Sequence, residues 1–405
     1  MLTVNGRSYT TPDTLRVGIC LDGTAPDYLE QAAAVMPNLQ RFIAQGASGL
    51  AQSVIPSFTN PNNVAMVTGV PPKDNGICGN YYYDVQRGEE VMMNDPQYLL
   101  CPTILAAFGN AGLAVAAVTV KDKLRRLLGK GLRGICFSVE YADKATRQEN
   151  GIQDVLGLMG RAAPTIYDPE ISVYCLEAGV LLAERFQPRL MYLTTTDFVQ
   201  HKYAPGSAEA NRFYARIDEV LGRLDRLGAV LGITADHGMN AKTNPDGSPK
   251  VVFIEALLKA QGIPEARVIL PINDPYIVHH GALGSFATVY LDEVHIEKAV
   301  RLLRATAGVE AVLPRQEAAA RFALPPNRIG ELVLLSDQGT VLGRTPEWHD
   351  LKVVERGLRS HGGLHERRVP LIFNRPLEKA FKSRLASGES NNYDLFDYLC
   401  NGMVS

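Results

Sequence analysis

Five short apolar runs limit what this chain can fold into: LRVGICL at 15–21, LAVAAVTV at 113–120, PRLMYLTT at 188–195, GAVLGIT at 228–234 and VPLIFN at 369–374. Helical patterns separate them. Runs of this kind, buried on both faces and joined by helices, belong to an α/β fold with a central, mainly parallel sheet flanked by helices. Ligands of such sheets bind beyond the carboxyl ends of the strands. The residues just after each run are therefore the informative ones. The first run leads into Asp22 and Gly23, the second into Lys121 and Lys123, the third into Asp197 and His201, and the fourth into Asp236 and His237.

Over residues 256–344 the character changes. FATVYLD at 286–292, a helical IEKAVRLLRATAG at 296–308 and LVLLSDQG at 332–339 read as a small α+β unit inserted into the main sheet. This predicts an inserted cap at 256–344, with residues 1–255 and 345–405 forming the core that carries the site.

Composition excludes several classes of function. Of the 405 residues, 46% are hydrophobic, so a large buried core is expected rather than disorder. The formal net charge is −2, which gives no general electrostatic case for nucleic acid or an anionic membrane. No apolar run approaches the length of a membrane span, and the N-terminus lacks the pattern of an export signal. The six cysteines are widely spaced, with no CxxC pair. Together these features predict a soluble, cytoplasmic protein with reduced thiols. Homodimers being the common default, a homodimer is the expected assembly.

VIPSFTNPNNVAMVTG, residues 54–69, raises a question about Thr59. Val54 and Ile55 read as strand and Val64–Val67 as the first buried turns of a helix. Thr59 is then an ordinary helix cap, with Pro61 tolerated where an amide is unpaired anyway. The same place would hold a hydroxyl at the positive end of a helix dipole, where anions bind.

Asp197 and His201 are four apart, so a helix starting at the strand end puts both on one face, either as a surface pair or around one cation. Asp236 and His237 are adjacent at a strand end, and Gly238 permits a tight turn there. SHGGLHERRVPLIF supplies His361 and His365 before the last strand. Gly362 and Gly363 would let that loop lie close against a ligand. Oxygen and imidazole ligands without thiolate suit zinc or manganese, zinc being the commoner fit. Two groups emerge: Asp197, His201 and a C-terminal histidine for one ion, and Asp22, Asp236 and His237 with the Thr59 oxygen for a second. Two such ions roughly 4 Å apart would clamp both sides of an in-line displacement at phosphorus.

Asp22 after the first strand, Thr59 at a helix start, DxxxH at 197–201, DHG at 236–238 and HGG at 361–363, in that order, resemble the two-metal alkaline phosphatase superfamily. Within it, Asn80 in GICGNYYYD, the lysines of TVKDKL and the RSHGGLHE segment are similar to the branch that cleaves phosphonoacetate to acetate and phosphate. The resemblance implies a hydrolase with two Zn2+ ions, Mn2+ or Fe2+ being the alternatives, and a small phosphonate as substrate. It implies that Thr59 is a metal-activated nucleophile passing through phosphothreonine. One ion would be held by Asp197, His201 and His361, the other by Asp22, Thr59, Asp236 and His237. His361 is preferred over His365 because the family's ligand sits in an HG context. His279 and His280 either approach the substrate or pack within the cap.

Carbon is a poor leaving group, but a carboxylate on it lets the developing charge spread as an enediolate, given cations to receive it. Lys121 and Lys123, two apart, would lie on one side of an extended segment and bind that carboxylate, or else are two solvated lysines. Asn80 donates to a phosphonyl oxygen or simply makes a turn. The alternatives are a phosphomonoesterase or phosphodiesterase of the same superfamily, and a non-catalytic module binding metal or phosphonate.

Overall fold

All five apolar runs become strands of one seven-stranded sheet. The computed structural model describes residues 1–273, 280–354 and 357–404. In chain order the principal strands are β1 (Arg16–Cys20), β2 (Ala47–Gln52), β3 (Val115–Thr119), β4 (Ile135–Ser138), β5 (Leu190–Thr194) and β6 (Val230–Thr234), then β7 (Arg267–Ile269), β8 (Phe286–Tyr290), β9 (Val309–Pro314), β10 (Leu332–Ser336) and β11 (Arg368–Phe373). The principal helices are α1 (Thr59–Thr68), α2 (Asp122–Leu128), α3 (Glu170–Phe186), α4 (Phe198–Lys202), α5 (Ala208–Arg226) and α6 (Leu395–Asn401).

The large sheet runs β2-β11-β6-β1-β5-β3-β4. The pairs from β6 through β4 are parallel, and only β11 runs against its neighbours. The carboxyl ends of four adjacent strands, β6, β1, β5 and β3, therefore lie side by side, about 4.8 Å apart. Because β11 is antiparallel, the loop leading into it, with His361, arrives at that same end.

Alternate residues of the central strands feed two cores. Val17, Ile19, Met191, Leu193, Leu231 and Ile233 join α3 and α5 on one face, and Cys20, Tyr192, Leu371 and Phe373 join α1 and α6 on the other. Gly18 and Gly232 face each other in register, and an added Cβ at either would meet Leu395 of α6 at 3.0 or 2.9 Å. These two glycines let α6 lie directly on the middle of the sheet.

A second sheet, β7-β8-β10-β9, is antiparallel throughout. One face carries the helix Ile296–Arg304, through Ala299 and Leu303. The other shares a core with Ile77, Cys78, Tyr82, Val91 and Met93, from the segment holding the hairpin Tyr81–Asp84/Glu89–Met92. Nothing local in the sequence announces that this hairpin joins a sheet two hundred residues away.

Two local expectations are corrected. The strand read at Val54 and Ile55 ends at Gln52, because Ser53 and Val54 turn their amides to Arg367 and the Asn62 side chain instead of to β11. Lys121 and Lys123 do not share one side of an extended segment. Lys121 precedes α2 with extended backbone, and Lys123 lies in its first turn. All six cysteines are free thiols, four of them buried. Among the described residues no helix is long and apolar enough to cross a membrane.

Candidate active site and metal centre

The strand ends bring the acidic and imidazole side chains together. His201 Nε2 lies 3.0 Å, and His361 Nε2 3.6 Å, from Oδ2 of Asp197. His237 Nε2 lies 3.2 Å from Oδ1 of Asp22 and 3.8 Å from Oδ2 of Asp236. Two clusters have ligand atoms all within 4.8 Å of one another: Asp197, His201 and His361, and Asp22, Asp197 and His237. The Asp197 carboxylate reaches both, whereas the residues alone assigned it to one. Asp236 is held by hydrogen bonds: Oδ1 accepts from the N–H groups of Gly23 and His237, and Oδ2 from the Asn63 amide.

Thr59 is not the cap of its helix. Phe58 occupies that position without a side-chain cap, and Thr59 is the first residue of α1. Its Oγ1 lies 3.4 Å from Nε2 of His237, which turns the hydroxyl toward the carboxylate cluster. The turn is organised instead by Asn62, which accepts from the Val54 N–H and donates to the Phe58 carbonyl. Asn63 donates to the Thr59 carbonyl and to Asp236, and accepts from the Tyr192 hydroxyl. Sequence reasoning missed both. The signal was NPNN, where buried asparagines in a helix must be satisfying something.

All three histidines are oriented the same way. Nδ1 of His201 donates to the Arg359 carbonyl, that of His237 to Gly238 and that of His361 to Ser57, at 2.8, 2.9 and 2.8 Å. A carbonyl only accepts, so each Nδ1 carries a hydrogen and Nε2 is the ring nitrogen turned to the carboxylates. The His237 and His361 rings stack at 3.5 Å between centroids. Burial, then the neighbouring His237, push the His361 pKa well below its usual value. It remains neutral.

Burial, then Asp197 and Asp236, raise the Asp22 pKa well above the carboxylate range, and neither of its oxygens has a hydrogen-bond partner. Burial chiefly lifts Asp236 to about 6. Burial also opposes ionisation of Asp197, but His201 and Lys121 outweigh it and hold that pKa well below the usual value. Three buried carboxylates, that of Asp22 with both oxygens orphaned, and three inward Nε2 atoms fit divalent cations.

Lys121 stands at the rim, half-exposed, with Nζ 3.7 Å from Oδ1 of Asp197. Lys123 is exposed at the start of α2. The Asn80 amide donates to the Ile272 carbonyl and its oxygen accepts from Asn60, the neighbour of Thr59. His365 pairs with Glu310 at 2.7 Å, away from the cluster. Gly362 lies against Phe58: an added Cβ would meet Cε1 of that ring at 2.3 Å, and φ is +121°. His279 and the His280 side chain lie outside the described residues.

The model of type I phosphodiesterase / nucleotide pyrophosphatase matches residues 16–364, and the chain belongs to that family, within the alkaline phosphatase superfamily. It is a homologue of phosphonoacetate hydrolase. Structures of that enzyme from Sinorhizobium meliloti 1021, in complex with phosphonoacetate and with phosphonoformate, are 51% identical to it, cover 98% of each chain and superpose with a TM-score of 0.93. Murine ectonucleotide pyrophosphatase / phosphodiesterase 5 in complex with AMP, 17% identical with a TM-score of 0.66 over 96% of this chain and 94% of that one, shares the fold. A Caenorhabditis elegans ectonucleotide pyrophosphatase/phosphodiesterase is 26% identical over 280 residues, 66% of this chain, and the chain spans about a third of that relative's length.

Proposed function

We propose that this protein hydrolyses the carbon–phosphorus bond of phosphonoacetate, giving acetate and phosphate, with Thr59 as the nucleophile. The observation that carries the reading is the 51% identity, over 98% of both chains, to a phosphonoacetate hydrolase seen with that compound bound. The family match to phosphodiesterases makes cleavage of P–O esters the reading to be tested against it.

Asp197, His201 and His361 would hold one ion, and Asp22, Asp236, His237 and Thr59 a second, zinc being the expected metal for mixed Asp and His donors. Such ions would polarise the phosphonyl oxygens and acidify the Thr59 hydroxyl. Thr59 Oγ1, first in a ten-residue helix, is favoured as an anion by the positive end of α1. It attacks phosphorus and forms the O–P bond as the C–P bond breaks. The electron pair passes to carbon and spreads into the carboxylate, where Lys121 and Lys123 receive it. The carbon takes a proton from water to give acetate. Water then replaces Thr59 at phosphorus, phosphate departs, and the hydroxyl regains its proton.

Partial burial favours neutral Lys121, but Asp197, then Asp22 and Asp236, outweigh it and raise its pKa, so it stays cationic to meet the carboxylate. Residues 256–344 act as a cap in this account. Their contact with the nucleophile runs from Ile272 through Asn80 to Asn60, and excluding water would protect the enediolate.

The test is phosphate release from phosphonoacetate by zinc-loaded protein, beside a chelated sample and p-nitrophenyl phosphate. Chelator-sensitive release with little ester cleavage is expected. Robust ester cleavage without action on phosphonoacetate would move the protein to the esterase reading.

A further inference from the structure

Lys242 carries a charge that the chemistry above does not use. It is fully buried, and its ammonium donates to Oε1 of Glu366 at 2.9 Å, to Oγ of Ser285 at 2.7 Å and to the Gln338 carbonyl at 2.9 Å. Three donors thereby meet three acceptors. Glu366 is buried too. Its Oε2 accepts from the Gly363 N–H at 3.0 Å, and its backbone carbonyl accepts from the Gly238 N–H at 2.7 Å. Gly363 comes two residues after His361, and Gly238 directly after His237. One glutamate thus ties together the two loops whose histidine rings stack. Lys242 ties that glutamate to Ser285 and Gln338, which flank β8 and β10 of the antiparallel sheet. A buried ion pair is weak grounds for stability, since desolvation offsets most of its attraction, but its directional contacts do fix position.

We propose that Lys242 and Glu366 are positioning residues: they set the loops of His237 and His361 against each other and against the antiparallel unit, so that movement of that unit is felt at both histidines. The tether stands on its own geometry. Its consequence for metal affinity rests on the site reading above.

The experiment uses Lys242→Met, Glu366→Gln and the double variant in the full chain, each first shown by its thermal transition to fold cooperatively. It has two readouts: zinc affinity by chelator competition, and amide hydrogen exchange of the zinc-free protein. Exchange is expected to quicken in peptides covering 236–242 and 360–366 while 115–119 and 135–138 keep their protection. Zinc Kd is expected to rise about ten- to hundred-fold, the usual effect of losing a group that orients a ligand. The double variant removes both charges. If uncompensated charge were the whole effect, it would restore local protection and zinc affinity, which would overturn the proposal. The tether predicts that it does not, because the contacts to Ser285 and Gln338 are still lost. Exchange that quickens uniformly over the chain would equally overturn it. Failure of the unsubstituted protein to bind zinc would count against the metal-site reading alone, since the exchange arm still decides the tether.

Discussion

Asp22→Asn separates what the site costs the fold from what a metal returns to it. The Asp22 carboxylate is fully buried, has no hydrogen-bond partner, and has ligand atoms of Asp197 within 4.8 Å. At an effective dielectric of about 20, two like charges at that separation repel by roughly 3.5 kcal/mol, and an unpartnered buried polar group costs about 1–3 kcal/mol. The substitution should therefore leave the zinc-free protein as stable as the parent or up to about 3 kcal/mol more stable, against the usual direction of a buried substitution. With zinc at about 1,000 times the parent Kd, the parent gains about 4.1 kcal/mol, whereas a variant binding about a hundred-fold more weakly gains about 1.4 kcal/mol. Urea unfolding monitored by circular dichroism, in chelator and in buffered zinc, reads both quantities. A zinc-free variant clearly less stable than the parent, or an undiminished zinc increment, would refute the reasoning.

Other expectations are narrower. Thr59→Ala should abolish turnover while leaving the unfolding free energy from urea titration within about 0.5 kcal/mol of the parent, because Thr59 does not cap α1; residual parental activity rules out the nucleophile. Lys123→Met should lower kcat on phosphonoacetate at least ten-fold, with far less effect on p-nitrophenyl phosphate; a rise in KM alone would assign the lysine to binding only. Asp225 opposes the effect of burial through Arg375, Arg41 and Asn374, each at 2.8 Å, and its pKa is lowered. A depressed carboxylate stabilises the fold above its unfolded pKa near 4, and that contribution is lost as pH falls through the folded value. Asp225→Asn should accordingly flatten the loss of stability below about pH 4, and an unchanged acid limb of the urea midpoint would contradict this.

Five of the seven strands of the large sheet were legible because double-sided burial writes itself into the chain as unbroken apolar runs, and their ends were legible because polar residues stop such a run; the two edge strands, Ala47–Gln52 and Ile135–Ser138, carry no such run. Asp22, Asp197, Asp236, His237 and Lys121 were all found by that one rule. Long-range pairing left no local trace. The partnership of β2 with β11 spans over three hundred residues, and the hairpin at 81–92 finds its sheet only in three dimensions. At Thr59 the local pattern allowed two roles, and the structure removes one of them by placing Phe58 at the cap. The Lys242 and Glu366 pair was invisible for a plain reason: single charged residues in polar loops usually face water, and nothing in MNAKTN shows that this lysine is enclosed.

In the proposed reaction the carbon–phosphorus bond is cleaved heterolytically, with the electron pair left on carbon. The most direct test of this is incubation of the zinc-loaded protein with phosphonoacetate in D2O, with proton and phosphorus NMR of the products. Heterolysis gives acetate and phosphate in equal amounts, with a single deuterium in each acetate methyl group. Persisting phosphonoacetate under conditions where phosphate esters are cleaved, or phosphate formed without monodeuterated acetate, would contradict it.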